Sequence, residues 1–504
     1  MKLKYLFALT LAAITVSSCS EDIMDKINFD EAHPGTKITN GAMQLTDAEM
    51  STVFSTLQGN YAWYVSSYTE QLFGTGNNQM KNAELRQTNE VAASTTFDNE
   101  WNSTYLNLNN LYNIKAKCQK GGTNSGQRDL LGMEQTLEAI GWATLTDLHG
   151  DIPYKECFKG ILAPAINTQK EVYDHVFELL DSAQDNFTAG GKNVGSKDLL
   201  YRGDVSKWGA LVHALRARYL LRTYATDKTP ARLNKVLTEA NAALAAGFDG
   251  CSLSVFNNDN PNNSWTAYQW SRHYMGCSTT VTKLMEARKD PREVIYNYAA
   301  FYKPGENEVD TVAAPGDKEL ACMVDGVNYP AWLDNGGASS HVMSISELYF
   351  IITEVKARLG QKDEDAFRKG VKASLSDYFA QGGSVAEASL SDDATNAYLD
   401  KVAKLYDADP LKETLVQKYL AQTRDEQLET YNDIRRCKAL DGSYPVALTN
   451  PNNTVSGKNR WPLRLPYGNS DVVSNPNVAK VFGSGNDAGN YIYTDPVWWA
   501  GGKE

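Results

Sequence analysis

The stretch from Leu130 to Glu156 sets the strongest constraint on the fold. Leu130, Met133, Leu137, Ile140, Thr144 and Leu148 recur at helical spacing. One mostly apolar stripe therefore runs along a helix and needs a partner to cover it. The end of this stretch reads WATLTDLHGDIPYKE, Trp142 to Glu156, and it stops the helix with several signals at once. His149 falls in the last turn, where positive charge complements the dipole. Gly150 suits a left-handed cap, and Pro153 cannot continue a helix. Asp151 has a short side chain that can bond backbone within the turn. The stretch reads as a C-cap and a corner, structural and without chemistry of its own.

The chain has 504 residues, enough for a large core. Its 42% hydrophobic and 22% charged residues are a globular composition. A net charge of −12 argues against a nucleic-acid partner, because a phosphate backbone requires a basic stripe. The N-terminus is an address. Lys2 and Lys4 precede a mostly apolar run from Tyr5 to Val16, too short to span a bilayer comfortably. It ends in VSSC, a match to the bacterial lipobox, in which Cys19 is acylated and becomes the mature N-terminus. Residues 1–18 are read as a signal peptide and 19–40 as a lipid-anchored polar tether. No later segment is apolar enough to cross a membrane. Six further cysteines permit disulfides in an exported chain, yet buried free thiols suit a core of this size equally.

Along the chain, helices are expected from Thr46 or Asp47 to Gly59, and from about Asp98. They are expected again over Gln169–Asn186 and within Leu199–Leu221, which reads as a turn and then a long helix with Asp204 as N-cap. Further helices follow over Pro230–Gly247, Ser344–Gly360, Glu364–Phe379, Thr395–Tyr406 and Pro410–Lys438. Gly74 to Ser94 reads as a long exposed loop. About residues 250–341 the composition shifts to Asn, Gly and Pro, and a loop-rich insert is expected.

Several motifs now stand in a fixed order. They are A-x-L-x-D-x-x-GDIPY-x-E from Ala143, YRGDVSKW from Tyr201, and Asp290-Pro291-Arg292. After these come SISELYFIITEVKARLG from Ser344, QKYLAQTRDEQLETYNDIRRC from Gln417, WPLRLPY from Trp461 and DPVWW from Asp495. Together they resemble the SusD/RagB family, nutrient-binding lipoproteins of the Bacteroidetes outer membrane. The chain departs from the family pattern at Ile352, Thr353 and Val355. Tyr419 and Tyr431 stand where the family has Trp, and the proline that usually follows LPY is absent.

The resemblance implies a mostly α fold: helix pairs of tetratricopeptide type in a right-handed superhelical scaffold, over residues 41–504, with a looped ligand face. It implies a SusC-like TonB-dependent transporter as partner and a lipid-anchored place on the outer membrane, facing outward. Glu21 and Asp22, just after Cys19, resemble the family's surface-export signal. Asp290-Pro291-Arg292 is read as a structural Asp–Arg corner.

No GxSxG, HExxH or GxxxxGK[ST] motif occurs, so catalysis is not expected, nor is a cofactor. The Asn257–Asn263 turn lacks EF-hand spacing and reads as a solvated turn rather than a calcium site. Aromatic residues carry the positive signal. Trp101, Trp142 and Trp208 lie on helices and read as core. Trp63, Tyr64, Trp265, Tyr268, Trp270, Tyr329 and Trp332 lie among Asn and Gly, where loops face solvent. Sugar rings stack C–H faces on such side chains, and amides such as Asn77, Asn78 and Gln79 pair with hydroxyls. The expected ligand is an oligosaccharide, with Trp332 foremost in GVNYPAWLDNGG. A peptide ligand, or a helical scaffold with no small ligand, are the alternatives. A first test follows from the address: Cys19→Ala should release the protein from the membrane fraction or leave its precursor unprocessed, read by fractionation and intact mass.

Overall fold

The computed structural model describes residues 39–75, 79–85, 91–272, 275–298, 328–382, 390–448 and 460–503. Cys19, the signal peptide, Asn77, Asn78 and Cys322 lie outside them. The fold is mostly α, a scaffold of tetratricopeptide-like helix pairs, with three two-stranded ribbons among the described residues.

Helix α1, Gly41–Met50, starts earlier than expected. Its N-cap is Asn40, whose side chain accepts from Ala42 N at 3.0 Å; Thr46 and Asp47 lie inside the helix. The cause is tertiary. Asn124 accepts from Gly41 N at 2.8 Å and donates to Asn40 at 2.7 Å, which ties the start to a distant turn. A π-helical stretch, Ser51–Leu57, leads to α2, Asn60–Tyr68. The aromatic run around Tyr61 is thus a helix, with Tyr61, Tyr64, Val65 and Tyr68 buried. Strand β1 is Phe73–Gly74 and α3 is Gln79–Glu84. The described part of the expected exposed loop is buried, with Met80, Lys81, Ala83 and Glu84 covered and Lys81 paired to Glu84 at 3.0 Å.

Helices α4, Asp98–Cys118, and α5, Arg128–His149, pack together. Helix α5 is buried nearly all round, which explains its mixed pattern. Its end corrects two readings. Gly150 has φ +84° but ψ −126°, a mirror-extended conformation open to glycine and not the left-handed helical cap. A Cβ there would meet Arg464 Nη1 at 2.7 Å. His149 is fully buried beside Tyr61 Oη at 3.0 Å, and burial holds its imidazole down to about 3. It is neutral and cannot complement the dipole with charge. Asp151 bonds beyond its own turn, accepting from Gln169 N at 2.8 Å. Strands β2, Ile152–Pro153, and β3, Ile166–Asn167, pair antiparallel and deliver the chain to α6, Gln169–Ala189.

Thr168 and Glu171 close a capping box on α6, which packs against α5. Asp204 caps α7, Val205–Arg222, as expected, and Thr229 with Pro230 starts α8, Pro230–Ala245, which pairs with α7. The described residues of the expected loop-rich insert include three α-helices: α9, Ser264–Arg272; α10, Thr279–Arg288; and α11, Glu293–Tyr296. Strand β4, Cys251–Leu253, pairs with β6, Ser340–Met343, and β5, Met275–Gly276, pairs with β1. Asp290-Pro291-Arg292 is the structural corner expected. Arg292 clamps Asp290 through Nε at 2.9 Å and Nη2 at 2.6 Å, and also reaches Gln417 Oε1 at 2.7 Å.

The helical series resumes with α12, Ile345–Arg358; α13, Glu364–Gln381; and α14, Asp392–Ala408. The last expected helix is two, α15, Pro410–Gln422, and α16, Gln427–Asp441. The break holds β6 in place. Asp425 accepts from His341 N at 2.8 Å and Glu426 from Ser344 N at 2.9 Å. Burial works against charge on His341, but Asp425 outweighs it and holds the imidazole up to about 9. Two short helices, α17, Asn469–Ser474, and α18, Pro476–Phe482, precede a buried Trp499. Cys118, Cys157, Cys251, Cys277 and Cys437 are free thiols, so of the two expectations for cysteine the described residues support packing.

The motifs converge on Asp147 of α5, which is 3% exposed. It pairs with Arg222 of α7. Trp499 Nε1 donates to its Oδ1 at 2.8 Å, as does Tyr173 Oη, and Arg435 Nη1 donates to its backbone carbonyl at 2.7 Å. Arg222 pairs in turn with Glu429 of α16. Removing one member of such a set strands a buried charge. Asp147→Ala should therefore lower the unfolding free energy by about 3–5 kcal/mol, measured by denaturant titration.

Candidate functional site

The expected ligand residues separate into buried and accessible groups. Trp332 sits on a single turn, Ala331–Asp334, between Pro330 and the glycines that had suggested a surface loop. It is 2% exposed and lies in the hydrophobic core, edge-on to Tyr378 at 5.2 Å and tilted on Tyr296 at 6.2 Å. The expectation that Trp332 leads the ligand face fails on this burial. α13 supplies Tyr378 and α11 supplies Tyr296, and between them they cover the indole. Trp265 is also core, its Nε1 donating to Gln58 Oε1 at 2.8 Å. Tyr329 is buried edge-on to Tyr298, and burial pushes its phenol up. Tyr64 is buried edge-on to Phe97 at 5.1 Å. Asn77 and Asn78 lie outside the described residues.

Trp63, Tyr268 and Trp270 reach the surface. Trp63 of α2 and Tyr268 of α9 stack at 3.9 Å with 18° between planes, and both are half-buried. Trp270, two residues along α9, is 42% exposed. Positions two apart on a helix point different ways, so Trp270 does not join the stack but extends the aromatic edge around the helix. Its Nε1 donates to Asp334 Oδ1 at 2.9 Å.

Asparagines fix this edge. Asn263 caps α9, its Oδ1 accepting from Thr266 N at 2.9 Å. Its Nδ2 donates to Asn335 O at 2.8 Å and its backbone N donates to Gly336 O at 2.9 Å. Asn257 Oδ1 accepts from Asp259 N at 2.8 Å and Asn260 N at 2.7 Å, an Asx turn. Gly336 allows close approach: a Cβ there would stand 2.4 Å from Asn262 Nδ2 and 3.0 Å from the backbone carbonyl of Asn257. The Asn-rich stretch is therefore a clamp that holds α9 against the loop bearing Asp334. Gln58 continues it inward. Its Nε2 donates to His341 O at 2.9 Å, and its backbone carbonyl accepts from Ser264 Oγ at 2.7 Å. Neither Asp334 nor Gln58 was expected from sequence; the density of amides at 257–263 was the available signal, and it reads equally as solvent-facing. Among the described residues, no three His, Cys, Asp or Glu side chains gather as a metal set.

Residues 26–467 match the family model SusD-like, described as starch-binding and associating with the outer membrane. The chain belongs to the SusD-like family. It is similar to a solved SusD/RagB family protein from Bacteroides thetaiotaomicron, at 32% identity and TM-score 0.83, over 92% of this chain and 100% of that one. It shares its fold with a chitin-binding protein, at 22% identity and TM-score 0.70 over 92% and 100% of the two chains. It also shares it with a chitin-binding SusD homolog from Flavobacterium johnsoniae, at 19% identity and TM-score 0.65 over 91% and 98%. No curated protein matches the chain. No described helix of this SusD-like protein is long and apolar enough to cross a membrane.

The burial of Trp332 gives a direct check. Trp332→Ala should lower the unfolding free energy by about 3–5 kcal/mol, as for other buried large-to-small changes. Chemical denaturation would show it.

Proposed function

We propose that this SusD-like protein captures an oligosaccharide at the outer membrane and passes it to a SusC-like TonB-dependent transporter. The observation that carries the reading is the accessible aromatic edge of Trp63, Tyr268 and Trp270 beside the exposed carboxylate of Asp334. An indole with its N–H already committed offers its π face, which suits the C–H face of a sugar. A carboxylate beside it suits hydroxyls. The family description as starch-binding, and the two chitin-binding proteins of the same fold, support a glycan. The lipid anchor at Cys19 and the transporter partner rest on the lipobox and on the family resemblance. Nothing in the aromatic edge favours a peptide.

Ring-face contacts contribute roughly 0.5–1.5 kcal/mol beyond area burial. Trp270→Ala should therefore weaken binding about tenfold while leaving the melting temperature near that of the wild type. Calorimetry with malto- and chito-oligosaccharides, with thermal melts alongside, measures both. Unchanged affinity for whichever glycan binds the wild type would remove the aromatic edge from the site.

A further inference from the structure

A cavity of about 380 Å³ opens between α6, α7 and α8. That volume lies in the range of small-ligand sites, roughly 300–1,000 Å³. Phe177 of α6 and Leu220 of α7 give it an apolar side, and Thr238 contributes a hydroxyl. None of the aromatic-edge residues lines it.

Its charges do not balance. Glu239 is committed on both oxygens, to His213 Nδ1 at 2.7 Å and to Arg216 Nε at 3.0 Å, and Arg216 also pairs with Asp181. Arg232 and Lys235 remain, and among the described residues neither forms an ion pair. Arg232 donates Nη2 to Thr223 Oγ1 at 2.7 Å, and its buried Nε has no acceptor. Burial works against its charge more strongly than the nearby Asp227 supports it. Arg218, Arg222, Arg292 and Arg436, by contrast, each hold a carboxylate. In a chain of net charge −12, two cations without an ion pair facing one cavity are not a product of surplus basic residues.

We infer that this cavity binds a carboxylated sugar, a hexuronate. The planar carboxylate matches the guanidinium fork of Arg232, and Lys235 adds a second positive charge. Phe177 and Leu220 offer contact to ring C–H groups. Thr238 spends its proton on Asn234 O at 3.0 Å, so its oxygen is left to accept from a sugar hydroxyl. The site is independent of the aromatic edge and would add recognition of acidic sugars to capture of neutral ones.

The test is calorimetry of the full chain with sodium glucuronate, glucose and sodium sulfate at low ionic strength. Glucuronate should bind saturably and glucose should not. Lys235→Gln removes an exposed side chain and should weaken glucuronate about tenfold, in keeping with a charged hydrogen bond. Arg232→Gln should abolish binding, and Trp270→Ala should leave it unchanged. Equal responses to glucuronate and glucose, or wild-type affinity in Lys235→Gln, would overturn the proposal. Sulfate binding as tightly as glucuronate would overturn the assignment to a carboxylated sugar. The Lys235→Gln arm keeps the test decisive if Arg232→Gln melts early through loss of its Thr223 contact.

Discussion

The buried carboxylate of Asp147 is the point on which the scaffold depends. A charge at that depth costs several kcal/mol unless each of its oxygens is occupied. Here the carboxylate's occupants come from three places in the chain, Tyr173 on α6, Arg222 on α7 and Trp499 near the C-terminus, and Arg435 on α16 adds a bond to the backbone carbonyl of the same residue. Trp499 also lies under both guanidinium groups, 5.4 Å from Arg222 and 4.8 Å from Arg435. Such a set adds little net stability over an apolar core of the same volume. What it adds is a requirement that only one packing of α5, α6, α7 and α16 meets. This accounts for the motifs physically: the Asp of ATLTD, the Arg ending ARYLLR, the second-to-last Arg of NDIRR and the Trp of PVWW are parts of one arrangement.

A second charged set extends the first. Arg218 pairs with Glu347, Lys418 with Asp433 at 2.6 Å, and Arg436 with Glu354 and Asp433. All are buried, and they join α7, α12, α15 and α16. In the break between α15 and α16, Asp425 holds β6 at His341 and Glu426 holds Ser344, the residue that follows it. Charges specify the scaffold up to the strand that follows the loop carrying Asp334.

Helices whose ends are set locally were legible in sequence. Asp204 accepts from its own N-terminal amides, and Pro230 follows its cap Thr229, so both starts can be read from a few neighbouring residues. The start of α1 also has a local cap, Asn40, but Thr46 and Asp47 compete with it in the sequence, and Asn124 fixes the choice from 83 residues away. Helix α2 was missed because its aromatics are buried on several sides and leave no clean stripe. In α9, Trp265 and Tyr268 have helical spacing, but Asn, Pro and Gly on either side pointed to a loop. For the candidate site, the aromatics among Asn and Gly include three that reach the surface, Trp63, Tyr268 and Trp270, but the inference from loop to surface fails wherever another helix covers the loop. Tyr378 of α13 does this to Trp332, and no pattern local to GVNYPAWLDNGG could announce it.

What remains accessible is better prepared for binding than a mobile loop would be. Trp270 stands on a helix capped by Asn263, and Asp334 stands on a loop that the same asparagine holds. The ordering cost of those side chains is met in folding, so less is charged against association. The indole donor is spent on Asp334 Oδ1, which turns the ring from a hydrogen-bonding group into a flat apolar one beside an exposed carboxylate. The Trp63–Tyr268 stack uses one face of each ring on the other, so it braces the edge more than it extends it. A ligand meeting this surface finds one apolar plane with an acceptor at its side. That combination matches a pyranose, with its apolar ring face and rim of hydroxyl donors, better than it matches a peptide backbone, whose amides would need a row of donors and acceptors that Trp270 and Asp334 do not supply.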